Sequence, residues 1–324
     1  MFKQFSFTLN NGNKIIAPSS MGIGSVYFKM EMRSTAENYN ETLKNNLIKL
    51  FEQGKGVIHI DCAANYNVYP EFRDALKVNT EKQLKKREEL WVTDKFDTFL
   101  GTFPDPVTHV NSVLKELDLN YLDLLLIHYP VVPAKKISLS IAEIWAQMET
   151  LKKEGKVKNI GVSNFSVKDL EKLKETAVIK PVVNQIEWNP YFMNQTPGIY
   201  DYCQKNNILI EAYSPLYPIT LNSSGEDVSE EGKNFNNFID LLASKYKISN
   251  SEVLLRYTIQ MNVLPVTTSS NIERILTNHN FNNDRPDLRL SKKEVKEITE
   301  LGKKHSQVSK YEKFAKYFES LLEN

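Results

Sequence analysis

Short apolar runs alternate along the chain with amphipathic stretches. The runs cover residues 57–60, 90–93, 122–127, 157–162, 182–186, 208–212 and 263–266. Each is strand-length and rich in leucine or β-branched residues, as parallel strands buried on both faces require. A weaker eighth candidate covers residues 16–21. Between the runs the apolar period lengthens to that of a helix. Val110, Val113, Leu114 and Leu117 form one such stripe, as do Ile141, Ile144, Trp145, Met148 and Leu151, and Phe235, Phe238, Ile239 and Leu242. Ser249 with Glu252 and Ser291 with Glu294 have the spacing of capping boxes that open helices.

Eight strand–helix units can spread into a doubly wound sheet or close into a barrel. The doubly wound form predicts a GxGxxG turn after an early strand, and the sequence has none; Gly22-Ile23-Gly24 is too short. The reading is therefore an α/β chain forming a (β/α)8 TIM barrel. Residues 5–15, centred on Asn10-Asn11-Gly12-Asn13, predict an N-terminal β-hairpin. Residues 217–233, rich in Ser, Asn, Gly and Glu, read as a long polar loop, with extra loops expected at the C-terminal face.

Length changes this picture little: 324 residues fit one barrel domain, 1–324. Forty-one Lys and Arg against 40 Asp and Glu leave a formal charge of +1, which gives no footprint for nucleic acid or an acidic membrane. No run is long enough to span a bilayer and the N-terminus lacks the apolar core of a signal peptide. Two isolated cysteines, Cys62 and Cys203, suggest a reducing compartment, so the expectation is a cytoplasmic protein acting on a small molecule, as a monomer or weak homodimer.

In a barrel, chemistry sits where strands give way to βα loops. Those positions hold Asp61, Lys95, His128, Ser163 with Asn164, Tyr213 with Ser214, and the hydroxyls of residues 267–270. Hydrolase motifs and metal-ligand spacings are missing, so no metal is expected. A lysine beside an aspartate and near a tyrosine can depress the phenol's pKa and make it a proton donor to a carbonyl. A neutral histidine can polarise that carbonyl. Such a site has no hydride source of its own, which implies a nicotinamide cofactor.

The segments HIDCAANYNVYPE, WVTDKF, DLLLIHYP, KNIGVSNFS, VVNQIEWNP, EAYSPL and LPVTTSSNIER resemble the signature segments of the aldo-keto reductases, in the same order, over roughly residues 20–280. The resemblance implies a catalytic tetrad of Asp61, Tyr66, Lys95 and His128, with Tyr66 the acid. It also implies NADPH (NADP+) as cofactor. Ser163, Asn164 and Gln185 would meet the nicotinamide carboxamide, and Tyr213 would stack on the ring. Gly24, Ser25, Asp61, Ser214 and Leu216 would line the cofactor's path. Thr268, Ser269, Ser270 and Arg274 would take the 2′-phosphate, and Asn278 the adenine. Val26, Tyr66, His128 and Tyr129 would face the substrate.

Within the family the chain looks most like the fungal branch that reduces α-keto amides and conjugated polyketones, so ketones, aldehydes and activated dicarbonyls are the implied substrates. Its departures lie around the substrate: Asn67-Val68-Tyr69 where Gly-x-Glu is common, Tyr129 where Trp is common, and Val26 where an aromatic is common. The family's lysine among the 2′-phosphate ligands is missing, with Val266 and Asn271 flanking that segment. A rival reading is a nicotinamide-binding, redox-sensing accessory subunit with little turnover. The helix-spaced aromatic tail Tyr311, Phe314, Tyr317, Phe318 and Leu321 would pack on the barrel wall or cover the substrate mouth.

Overall fold

The computed structural model describes residues 7–15, 20–22, 39–132, 137–224 and 229–305. A two-stranded antiparallel hairpin, β1 (Phe7–Thr8) and β2 (Lys14–Ile15), comes first. Eight parallel strands follow: β3 (Ser20–Gly22), β4 (Ile58–Asp61), β5 (Leu90–Phe96), β6 (Leu122–Ile127), β7 (Val157–Ser163), β8 (Val183–Glu187), β9 (Leu209–Tyr213) and β10 (Val263–Thr267). They pair in sequence order, and β10 returns to β3, so the sheet closes into a barrel.

The expected strands are all present, with one systematic correction. Their C-terminal ends run on, as a rule, through polar residues that the hydrophobic pattern leaves outside. Asp61, Lys95, Ser163 and Tyr213 are strand residues rather than residues after strands. A closed ladder supplies backbone partners whatever the side chain, so the pairing outlasts the apolar run. Of the eighth candidate, residues 20 and 21 belong to β3, while 16–19 lie outside the described residues.

Helices surround the barrel: α1 (Glu41–Gln53), α2 (Tyr69–Lys82), α3 (Pro106–Leu117), α4 (Ile141–Lys153), α5 (Val167–Lys174), α6 (Ile199–Asn206), α7 (Tyr217–Ser224), α8 (Glu230–Tyr246), α9 (Asn250–Gln260), α10 (Ile272–Asp284) and α11 (Lys292–Lys303). The periodic stripes named from the sequence become the buried faces of α3, α4 and α8. Both expected capping boxes form, on α9 and α11. Residues 217–224 are helical where a polar loop is expected, and Glu230 to Lys233 already belong to α8. Tyr217, Ile219 and Leu221 are spaced by two residues rather than by a helical period, so the pattern does not announce α7; Pro218 sits in its first turn, where a missing N–H costs little.

Alternation along the strands gives two cores. Leu125 and Ile127 face the helices, whereas Leu124 and Leu126 join Val183, Leu209 and Leu264 in a second cluster with Phe7 and Leu9 of the hairpin segment. The hairpin is tied to the N-terminal end of the barrel: Asn10 donates to the Pro181 carbonyl (2.8 Å), and Asn11 and Asn13 both donate to Asn159 Oδ1 (2.8 Å each). Its turn uses Gly12 at φ 86°, a left-handed position suited to glycine. Among the described residues, no helix is long and apolar enough to cross a membrane.

Gly161 is a close-packed point of the barrel wall. A Cβ there would stand 2.8 Å from Leu126 Cδ2 and 2.8 Å from the Val183 carbonyl oxygen. The backbone oxygen belongs to the closed ladder and has little freedom to retreat. Gly161→Ala is therefore expected to lower unfolding stability by about 1–3 kcal/mol, measured by urea denaturation; an unchanged midpoint would contradict this packing.

Candidate active site

Because inward-facing residues recur every second position, each strand carries its inner face up to the C-terminal rim. On β9 that face reads Leu209, Glu211, Tyr213, and on β8 Val183, Gln185, Glu187. It changes from apolar to polar in one step along the axis. The polar step holds most of the residues singled out from the sequence.

Lys95 Nζ is at the centre, with no solvent exposure. It donates to Asp61 Oδ1 at 2.6 Å, to the Cys62 carbonyl at 2.8 Å and to the Tyr66 hydroxyl at 3.3 Å. Those three acceptors use all the donors of an ammonium. Burial works against its charge, but Asp61 and Tyr66 outweigh that and hold the ammonium above its ordinary range. Lys95 is thus a fixed cation.

Tyr66 ends a single 3-10 turn, Ala64–Tyr66, between β4 and α2. Asn67 follows at φ 55°, a left-handed conformation that Gly or Asn takes most readily, which accounts for Asn where the resembling family has Gly. Tyr69, standing where Glu is usual, donates its hydroxyl to Asp94 Oδ2 (2.9 Å) on the outward face of β5, and His109 lies 3.0 Å from the same oxygen. The turn bearing Tyr66 is therefore pinned from outside the barrel as well as from within.

The phenol differs from expectation in one respect. Enclosure of its hydroxyl end raises the Tyr66 pKa, and the charge and hydrogen bond of Lys95 only partly offset this. The net position is above, not below, the ordinary value. Tyr66 consequently holds its proton firmly at neutral pH, while Lys95 waits beside the oxygen that would carry charge once the proton leaves. His128 is buried, with its ring edge-on to Tyr66 (centroids 5.8 Å apart, 81°) and stacked on Tyr129 (4.4 Å). Burial, then the Lys95 charge, keep it well below its usual range, so the ring is neutral.

Ser163, Asn164, Gln185 and Tyr213 extend the network. Ser163 Oγ donates to the Gln185 carbonyl (2.8 Å), and Asn164 Nδ2 donates to the His128 carbonyl (3.1 Å) and to Ser163 Oγ (3.2 Å). The Tyr213 hydroxyl reaches Asn164 Oδ1 (3.0 Å) and Gln195 Oε1 (3.1 Å), leaving its half-buried ring at the rim. Gln185 Nε2 donates to Asp61 Oδ2 (2.7 Å) and to Glu211 Oε2 (2.9 Å). Ser214, at φ 58°, turns the chain away from β9 toward half-buried Leu216.

Thr268, Ser269, Ser270, Arg274 and Asn278 form a separate group where β10 passes into α10, next to β9 through the pairing of Val266 with Tyr213. Arg274 is exposed on the first turn of α10, and Thr268 Oγ1 is buried with no hydrogen-bond partner. Asn271 caps α10, accepting from the Arg274 amide (3.1 Å), and Asn46 of α1 fixes the Ser270 carbonyl (2.9 Å). Gly24, Ser25 and Val26 lie outside the described residues, as does the aromatic tail from Tyr311 to Leu321. Cys62 and Cys203 are buried, and burial pushes both thiols up, away from reactivity. No group of three or more His, Cys, Asp or Glu is placed to hold a metal among the described residues.

This arrangement is matched by known proteins. The Aldo/keto reductase family profile matches residues 20–303. The chain belongs to the aldo/keto reductase family. It is 40% identical to the NADPH-dependent alpha-keto amide reductase of Saccharomyces cerevisiae over 96% of this chain and 95% of that one. It is 34% identical to the NAD/NADP-dependent indole-3-acetaldehyde reductase of Schizosaccharomyces pombe, over 91% and 94%. The crystal structure of the Bombyx mori aldo-keto reductase AKR2E4 in complex with NADP aligns with a TM-score of 0.76 at 28% identity, covering 95% of each chain.

Two participants in this aldo/keto reductase site escape the sequence reading. Gln195 anchors both the Tyr213 hydroxyl and the Glu187 amide (2.6 Å), from a loop with no motif to mark it. Glu211 does carry a signal: a carboxylate in the otherwise apolar run at 208–212. It is fully buried, and burial, then Asp61, push it up to about 8 from 4.5, against the pull of Gln185 and Lys95. The folded protein thus binds a proton that the unfolded chain releases between pH 4.5 and about 8, so stability should fall as pH rises through that window. Glu211→Gln removes this ionisation. Thermal unfolding from pH 5 to 9 is expected to show wild type losing stability relative to Glu211→Gln; parallel curves would exclude a neutral buried Glu211.

Proposed function

We propose that the chain reduces ketones, aldehydes and activated dicarbonyls to alcohols with NADPH, Tyr66 delivering the proton. The observation that carries this reading is the 3.3 Å hydrogen bond from the Lys95 ammonium to the Tyr66 hydroxyl, with Asp61 at 2.6 Å behind it. The described residues suit the cofactor. Gln185 keeps its Oε1 open, Tyr213 places a half-buried ring at the rim, and Thr268 has an unpaired hydroxyl on the segment that leads to exposed Arg274. An arginine fork with hydroxyl donors is what a 2′-phosphate requires. The named activities of the yeast relatives and the NADP of the silkworm structure support the same choice.

When bound, the nicotinamide supplies the hydride that reaches the carbonyl carbon. Tyr66 gives its proton to the oxygen, and the Lys95 charge stabilises the phenolate that remains. Asp61 keeps Lys95 charged and aimed. His128, neutral, can offer an N–H to the carbonyl oxygen without competing for the proton. Ser163, Asn164 and Gln185 would hold the carboxamide and Tyr213 the ring, with Gly24, Ser25, Ser214 and Leu216 along the cofactor. Val26 and Tyr129 would shape the substrate side, where the 40% identity favours α-keto amides among the candidates. The whole chain would act as one domain, and its two buried free thiols suit a reducing, cytoplasmic setting. A redox-sensing subunit without turnover has no need of the assembled donor set around Tyr66.

Tyr66→Phe is expected to cut reduction of an α-keto amide or isatin by at least about 10²–10³-fold while leaving NADPH binding intact. Steady-state kinetics with NADPH and NADH, together with fluorescence titration, check both halves. Near-normal turnover by the variant would refute Tyr66 as the acid.

A further inference from the structure

Gln185 is held in an uncommon way. Both hydrogens of its amide nitrogen go to carboxylic groups, one to Asp61 Oδ2 at 2.7 Å and one to Glu211 Oε2 at 2.9 Å. All three side chains are almost fully buried. An amide has two donors on nitrogen and an acceptor on oxygen. Asp61, already paired with Lys95, presents acceptor oxygen only, so the nitrogen must face it and the Oε1 edge must face away. Asp61 alone leaves the second N–H unclaimed. Glu211, one strand further round the barrel, claims it across the β8–β9 pairing, where Gln185 lies beside Glu211.

We propose that Glu211 is a positioning residue for the nicotinamide subsite: with Asp61 it occupies both N–H groups of Gln185, so that Gln185 presents an acceptor, Oε1, to the carboxamide N–H of the cofactor. This rests on the NADPH reading above. It assigns to Glu211 a part in cofactor recognition through Gln185, not a part in the reacting atoms. It also ties the recognition to Asp61, which thereby serves Lys95 with one oxygen and Gln185 with the other. An acid at this position does what a merely apolar strand residue could not, because the second N–H of Gln185 would otherwise be buried without a partner.

The test compares NADPH with adenosine 2′,5′-bisphosphate, which lacks the nicotinamide, as ligands of wild type, Glu211→Leu and Glu211→Gln. Fluorescence or calorimetric titration gives each dissociation constant at pH 7. Glu211→Leu is expected to weaken NADPH roughly tenfold, the loss of one hydrogen bond, and to leave the bisphosphate within about twofold. Glu211→Gln retains an acceptor oxygen and is expected to restore NADPH affinity. Equal NADPH affinity in Glu211→Leu, equal loss of both ligands, or no restoration by Glu211→Gln would each overturn the proposal. Failure of wild type to bind NADPH would instead overturn the cofactor reading beneath it.

Discussion

Lys95 places a full positive charge where no water reaches it, and a lone buried cation is too costly to persist. Asp61 at 2.6 Å makes it tenable, and the Cys62 carbonyl and Tyr66 hydroxyl complete its shell. The pair fixes two neighbours, Tyr66 and Gln185. Asp61 and Lys95 sit on adjacent parallel strands, so the barrel's register sets their separation. Tyr66 must end its short turn within reach of Nζ, and Gln185 must turn its amide nitrogen toward the second oxygen of Asp61. The electrostatics of the site therefore follow from one ion pair held by strand pairing.

The same interaction reconciles two facts that look opposed. A proton donor benefits from an easily lost proton, yet the enclosed Tyr66 phenol is held above its ordinary pKa. In the proposed reduction, what matters is the contrast between the charge state before and after proton transfer. Lys95, held charged by Asp61, favours the phenolate at the moment it forms, and needs no rearrangement to do so. His128 contributes by staying neutral, a consequence of burial first and of the same ammonium second.

Much of this was legible in the sequence because a closed parallel barrel writes itself plainly. The run from Leu122 to Ile127 reads as buried on both faces, and Leu124 and Leu126 fall on one side of β6 with Leu125 and Ile127 on the other, as alternation demands. Asp61, Tyr66, Lys95 and His128 were singled out by their spacing and flanking segments, and the fold brings the four side chains together. The strand ends were not, since Asp61, Lys95 and Tyr213 are polar residues paired in a ladder that hydrophobicity does not report. Residues 217–224 read as a loop for a related reason: the short helix there carries no helix-spaced apolar stripe. Glu211 was visible but absorbed into an apolar run, because its meaning depends on Gln185, 26 residues away in sequence and adjacent across two strands. Gln195 had no signal at all.

The proposed reduction depends on the Lys95 charge beside Tyr66. The most direct measurement is the single-turnover rate of NADPH oxidation by an α-dicarbonyl, followed over pH 6–9 in wild type and in Lys95→Met. A fall of roughly 10²-fold or more is expected in the variant at neutral pH, with NADPH still bound before mixing. A Lys95→Met rate within a few-fold of wild type, with the same pH dependence, would contradict it.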